Sequence, residues 1–258
     1  MAVMPAFGST VLVDLGSASS FALLGSTITD TGVSDIVGDV GATTTVTINS
    51  PWVVTGTVYP AGDPAAMAAY GDFESAYNAA VNLASTQPLL TSLPATQTFI
   101  GNNVYTFTNA ISTTTGTSLT FDAQNNPANV FVIQIDGAFT VNGILNFNLI
   151  NGAQANNIFW IVEDAATISV GSSPVQTFDG SILAGTSFTM SAASGGSDTL
   201  AGTINGCAFS ETANTLAGQT DVEGCQQADI APEPGTLPLL SLGLGAGFLL
   251  FRKFRSIR

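Results

Sequence analysis

The sequence predicts a mainly β fold: a β-solenoid with three strands per coil and a roughly triangular section, with one long α-helix packed alongside. Three observations carry this. From about Thr113 to Thr215, short runs of period-two alternation are broken by Gly, Asn and Asp, the pattern of strands and turns. The runs recur at a period of roughly 22 to 28 residues, within the range of solenoid repeats. A single convincing helical segment precedes them, over residues 63–84.

The helix is set by its start. Asp63 is an N-cap residue, and Pro64 fits the first helical position, where a missing N–H costs nothing. Met67, Tyr70, Tyr77 and Val81 fall on one apolar stripe, so the helix is expected to lie along an apolar surface.

The strands fall into three types. Leu119-Thr-Phe121, Asn129-Val-Phe-Val-Ile133 and Phe139-Thr-Val141 recur as Leu145-Asn-Phe147, Asn157-Ile-Phe-Trp-Ile161 and Thr167-Ile-Ser169, and a third turn supplies Gly180-Ser-Ile-Leu183 and Ser187-Phe-Thr-Met190. The middle type is apolar at nearly every position, as expected of a strand covered on both faces, and the helix is assigned to cover it. The last type alternates. Phe139, Val141, Ile168, Val170, Phe188 and Met190 should point inward, leaving Thr140, Thr167, Ser169, Ser187 and Thr189 outward. Stacked coils would align these hydroxyls and methyls into a flat, uncharged lattice able to order water; exposed Thr on a sheet can equally reflect strand propensity alone.

Composition narrows the function. Of 258 residues, 45% are hydrophobic and only 9% charged, so a core is assured and solubility rests on neutral polar groups. All four basic residues (Arg252, Lys253, Arg255, Arg258) lie at the extreme C-terminus, and the net charge is −14. A surface without cations cannot supply phosphate contacts, which excludes nucleic acid and phosphorylated substrates. There is no His and no close Cys pair, so neither a zinc site nor any cofactor is expected. Cys207 and Cys225 would form one disulfide in an exported protein and free thiols in a reducing compartment.

The C-terminus reads as a unit. A linker over 226–234 ends in Pro232-Glu233-Pro234, an apolar run over 235–251 is long enough to cross a bilayer, and a basic tail over 252–258 should stay cytoplasmic. The domain over 13–225 is thereby placed outside. Residues 1–12 lack the basic and apolar regions of a secretory signal, which implies a late start codon or a trimmed segment. The tripartite tail resembles the PEP-CTERM sorting signal of Gram-negative bacteria. On that resemblance an exosortase-type enzyme processes the chain at Pro232-Glu233-Pro234, so the membrane is engaged only transiently.

The domain itself resembles the microbial family of ice-binding proteins. The matching stretches are Leu15–Gly25 continuing through Gly32, Gly38-Asp-Val-Gly41, Ala61-Gly-Asp-Pro-Ala65, Ala76-Tyr-Asn-Ala-Ala80, Leu119–Gln124, Pro127–Phe131, Ile150–Ala155, Asn157–Trp160 and Gly180–Ala184. The resemblance implies a right-handed, discontinuous solenoid in which the start of the chain and its C-terminal half share one stack, with the helix inserted between. Thr27 and Thr29 would then join the outward face, and the partner would be the surface of an ice crystal, met by a monomer. Thr186-Ser-Phe-Thr189 fits the family's Thr-x-x-Thr pattern. Gly202-Thr-Ile-Asn-Gly206 departs from the usual Asn-Gly-Arg stretch, and Ala208 to Gly218 is less regular than a typical last coil.

Two other classes are weighed against this. Solenoids also host glycosidases and lyases, and Asp136, Glu163, Asp164 and Asp179 lie near coil ends, but no His, Lys or Arg precedes position 252 to serve as a base or to build a triad. A surface adhesin or extracellular matrix protein binding carbohydrate fits the tail equally well; the outward stripe lacks the clustered aromatics that sugar binding favours.

Overall fold

The computed structural model describes residues 13–48, 53–170, 175–192 and 200–225. The chain opens with β1 (Phe21–Asp30), β2 (Asp35–Val37), β3 (Asp39–Ile48) and β4 (Val53–Thr55), followed by the helix α1 (Pro64–Val81). The first coil after the helix is β5 (Thr96–Ile100), β6 (Asn103–Phe107) and β7 (Ile111–Thr113). The second is β8 (Thr117–Asp122), β9 (Phe131–Ile135) and β10 (Phe139–Asn142), and the third is β11 (Leu145–Ile150), β12 (Ile158–Val162) and β13 (Ala166–Val170). Then come β14 (Gln176–Asp179), β15 (Ser181–Ala184) and β16 (Ser187–Ala192), and finally β17 (Leu200–Asn205), β18 (Ala208–Ala217) and β19 (Gln219–Val222).

All ladders are parallel, and chain order differs from stacking order. β1 lies between β18 and β3, and β2 lies between β19 and β4. The coils that begin the chain therefore stack on those that end it, which is the discontinuity the family resemblance implies. One face runs β6-β9-β12-β15 and a second runs β7-β10-β13-β16; both continue onto β18, β1 and β3. Those three strands, ten residues each, turn the corner and serve both faces. The third face consists of β5-β8-β11 and β14-β17-β19-β2-β4.

Two apolar cores result. Inside the solenoid, Phe99, Phe121, Phe139, Trp160 and Phe178 form a column of rings, with Phe139 stacked on Trp160 at 5.2 Å. Outside the first face, Val104, Val132, Phe159, Ile161, Leu183 and Phe209 pack against the helix. The middle strands are thus buried on both sides, as their nearly continuous apolar runs require.

The helix starts as expected, with Asp63 Oδ1 accepting from Ala65 N at 2.8 Å, and ends at Val81, short of residue 84. Its buried stripe is displaced from the one expected. Ala66, Ala69, Phe73, Ala76, Tyr77 and Ala80 face the sheet, whereas Met67 and Val81 are exposed. Alanines win these positions because they let the helix backbone approach a flat sheet closely. Tyr70 anchors one edge by donating to Glu211 O at 2.7 Å, and Tyr77 donates to Val162 O at 3.3 Å. Burial, then the neighbouring carboxylates, push both phenols up to about 12, so they remain protonated donors.

The coil register also differs from the sequence repeat by small slips. Phe131 pairs with Ile158 and Phe139 with Ala166, one residue from the match by motif, and Leu119 pairs with Phe147 rather than Leu145. The turn after β11 is one residue shorter than the turn after β8, which absorbs the difference. Among the described residues no helix is long and apolar enough to cross a membrane. The expected span at 235–251, the Pro232-Glu233-Pro234 motif and the basic tail lie outside the described residues, as do residues 1–12.

Candidate functional site

The second face carries the regular array. Its inward positions are filled by Phe139, Val141, Ala166, Ile168, Phe188, Met190 and Leu216, all buried. That packing fixes the strands' pleat, so the residues between them must face solvent. The structure places all seven sequence-assigned residues there: Thr27, Thr29, Thr140, Thr167, Ser169, Ser187 and Thr189 are each at least partly exposed.

Strand pairing brings them into rows. Ser112, Thr140, Thr167, Thr189, Thr215, Thr29 and Thr47 occupy one register position across successive coils. On one side runs Ser187, Ala213, Thr27 and Thr45; on the other runs Asn142, Ser169, Ser191 and Ala217. Neighbours within a row sit about 4.8 Å apart and rows about 6.6 Å apart, the spacings of any parallel sheet. Every one of these residues is uncharged. The central row is unbroken across the junction between Thr215 and Thr29, where the chain's end meets its beginning.

Sequence reasoning missed Ser112, Thr45, Thr47, Thr215, Asn142 and Ser191. Thr45 and Thr47 alternate with Val46 in a run that the period-two pattern could have found; Thr215 sits in a strand whose alternation is interrupted. Thr186 does not join the rows. It precedes β16 at a corner, where its carbonyl accepts from the Thr212 N and Oγ1 at 2.7 and 2.6 Å. A Thr-x-x-Thr spacing straddles the pleat, and only Ser187 and Thr189 of this stretch share the outward side.

The acids keep off the rows. Asp136, Glu163 and Asp164 are exposed at the corner between the first and second faces. Asp179 lies at a different corner and is only 8% exposed; its Oδ1 accepts from Asn205 Nδ2 at 2.6 Å, and burial raises its pKa. Of the four acids near coil ends, Asp179 is thus the one held inside the protein. Cys207 and Cys225 are joined as a disulfide with a Cα separation of 4.7 Å.

Known proteins share this fold. The family model described as Ice-binding-like matches residues 22–222. An ice-binding protein of Nostoc sp. (strain HG1) is 32% identical over 243 residues, covering 93% of this chain and 86% of that protein. One from Flavobacterium frigoris (strain PS1) is 33% identical over 224 residues, with 80% and 74% covered. Among solved structures, an ice-binding protein from an Antarctic biological consortium superposes with a TM-score of 0.70 at 29% identity, covering 85% of this chain and 95% of that one. That from the Antarctic ascomycete Antarctomyces psychrotrophicus gives 0.69 at 29% identity, with 82% and 98% covered.

Proposed function

This chain belongs to the ice-binding-like family, and we propose that it adsorbs to ice through the Thr/Ser face, inhibiting ice growth and recrystallisation. The observation that carries the proposal is the unbroken seven-residue row from Ser112 to Thr47, flanked by two further uncharged rows. Hydroxyls at fixed spacing hold first-layer waters, and the Thr methyls between them exclude waters in competing positions. Each contact is weak. On a crystal surface that cannot diffuse away, many such contacts on one rigid sheet act together, so adsorption is strong without any single anchor.

The reading assigns the domain no catalytic role and no cofactor. It places the domain outside the cytoplasm as a monomer, carried there with a C-terminal segment that enters the membrane until an exosortase-type enzyme acts at Pro232-Glu233-Pro234. Ice-recrystallisation inhibition by the full chain, beside Thr167→Tyr/Thr189→Tyr, tests the proposal. Loss of inhibition in the variant, with its circular dichroism unchanged, supports it; an inactive, well-folded parent returns the protein to the adhesin or matrix class.

A further inference from the structure

The third face is interrupted once. β11 and β14 are neighbours in the stack, yet no backbone ladder joins them. The buried side chain of Gln176 bridges them at one point, its Oε1 accepting from Leu145 N at 2.7 Å and its Nε2 donating to Leu145 O at 3.2 Å. Beside that bridge lies a cleft of about 400 Å³, within the range of small-ligand sites.

The cleft has the elements of a recognition site. Phe147, part-buried, packs against Phe178 at 5.2 Å and presents its remaining surface to the opening; Val175 adds apolar area. Asn146, Asn148 and Thr177 are exposed along its walls. Asp179, only 8% exposed, lines the same cleft. Its Oδ1 is held by Asn205. The facing edges of β11 and β14 contribute backbone groups that no ladder uses.

We propose that this cleft binds a neutral saccharide. A carboxylate oxygen accepts from a pair of sugar hydroxyls, the two amides both donate and accept, and the Thr177 hydroxyl does either. The C–H face of a pyranose packs on Phe147 and Val175. No Lys, Arg or His precedes residue 252, so phosphorylated or acidic sugars find no counter-charge and meet a surface of net negative charge. An extended peptide fits less well, because a strand entering between β11 and β14 would have to displace both Gln176 bonds to Leu145. The cleft and the Thr/Ser face lie on different sides of the solenoid, so saccharide and ice can be held together.

Saturation-transfer NMR and calorimetry of the full chain with cellohexaose, maltohexaose, mannohexaose and chitohexaose test this. At least one is expected to bind. Asn146→Ala/Asn148→Ala should weaken that binding by about tenfold or more, and Thr177→Tyr should abolish it. Both variants alter exposed positions, should keep the parent's circular dichroism, and should retain its ice-recrystallisation inhibition. Absence of binding by all four sugars at about 10 mM, binding that both variants leave unchanged, or capture of an extended peptide in place of sugar each overturns the proposal.

Discussion

Asn214 donates its side-chain amide to the backbone carbonyl of Leu24 across 2.7 Å, at the corner where the strand closing the chain's last coil lies against the strand opening its first. β1 crosses this corner with Ser26 alone, where β18 uses Glu211 and Thr212 and β3 uses Thr43 and Thr44. The tighter path is possible because Gly25 has no Cβ, which would otherwise approach the Asn214 amide nitrogen at 2.8 Å. Asn214 thus sets the register in which Thr27 and Thr29 meet Ala213 and Thr215. Asn214→Ala leaves the Leu24 carbonyl buried without its donor, a loss of about 1–3 kcal/mol. Urea unfolding of the two proteins is expected to show an unfolding free energy lower by that amount for the variant, with an unchanged m-value.

The disulfide acts at the same junction on the third face. Cys225 follows β19, the strand that joins β17 to β2, and its bond to Cys207 closes a separation of 18 residues. A loop of this length stabilises by about 2–4 kcal/mol, chiefly by restricting the unfolded chain. Cys207→Ser/Cys225→Ser is expected to melt at a lower temperature than the parent, and a reductant should lower the parent's melting temperature without affecting the variant's.

Stability should also depend on acidity through Asp30, which is 1% exposed on the inner side of the Thr/Ser face. Burial raises its pKa, partly offset by hydrogen bonds from the Gly32 N–H and from Ser34. A raised folded-state pKa means that the native protein holds the proton more tightly. The contribution of this group is therefore complete below the unfolded value of about 3.9 and is lost as pH rises through the folded one. Asp179 shifts the same way through burial. The part-exposed Asp72 and Asp122, lowered by hydrogen bonds from Ser17 and Asn151, act oppositely, losing their contribution as pH falls through their folded values. Asp30→Asn keeps the acceptor for Gly32 and removes the buried charge. Its melts should exceed the parent's at about pH 7 and converge with it at about pH 3.

The legible parts of the molecule were those in which one period governs a whole strand. Phe139-Thr-Val141 and Phe188-Thr-Met190 alternate cleanly because one side is sealed by core, and their outward residues follow directly. The apolar runs Phe131–Ile135 and Ile158–Val162 announced a strand covered twice, hence a helix over them. Legibility failed where packing chose small or polar residues. The helix stripe was read from Met67 and Val81, whereas close approach to the sheet selected Ala66, Ala69 and Ala80 beside Phe73. β18 looked irregular because it turns a corner at Glu211 and Thr212 and points Ser210 and Asn214 into the protein. Thr215 was missed for the same reason: a seam between distant segments leaves no local repeat. The cleft beside Gln176 arises from a ladder that is absent, for which sequence has no signal.

Thermal hysteresis, measured for bulky substitutions on two faces of the same full chain, bears most directly on the central claim. Thr189→Tyr and Thr215→Tyr place a ring in the continuous row, whereas Thr98→Tyr and Thr120→Tyr place one on the third face at equivalent exposed strand positions. The first pair is expected to lose most of the hysteresis while the second pair keeps the parent's value, all four retaining the parent's circular dichroism. Equal activity in all four, or loss confined to Thr98→Tyr and Thr120→Tyr, would contradict the assignment of ice binding to the row that runs from Ser112 to Thr47.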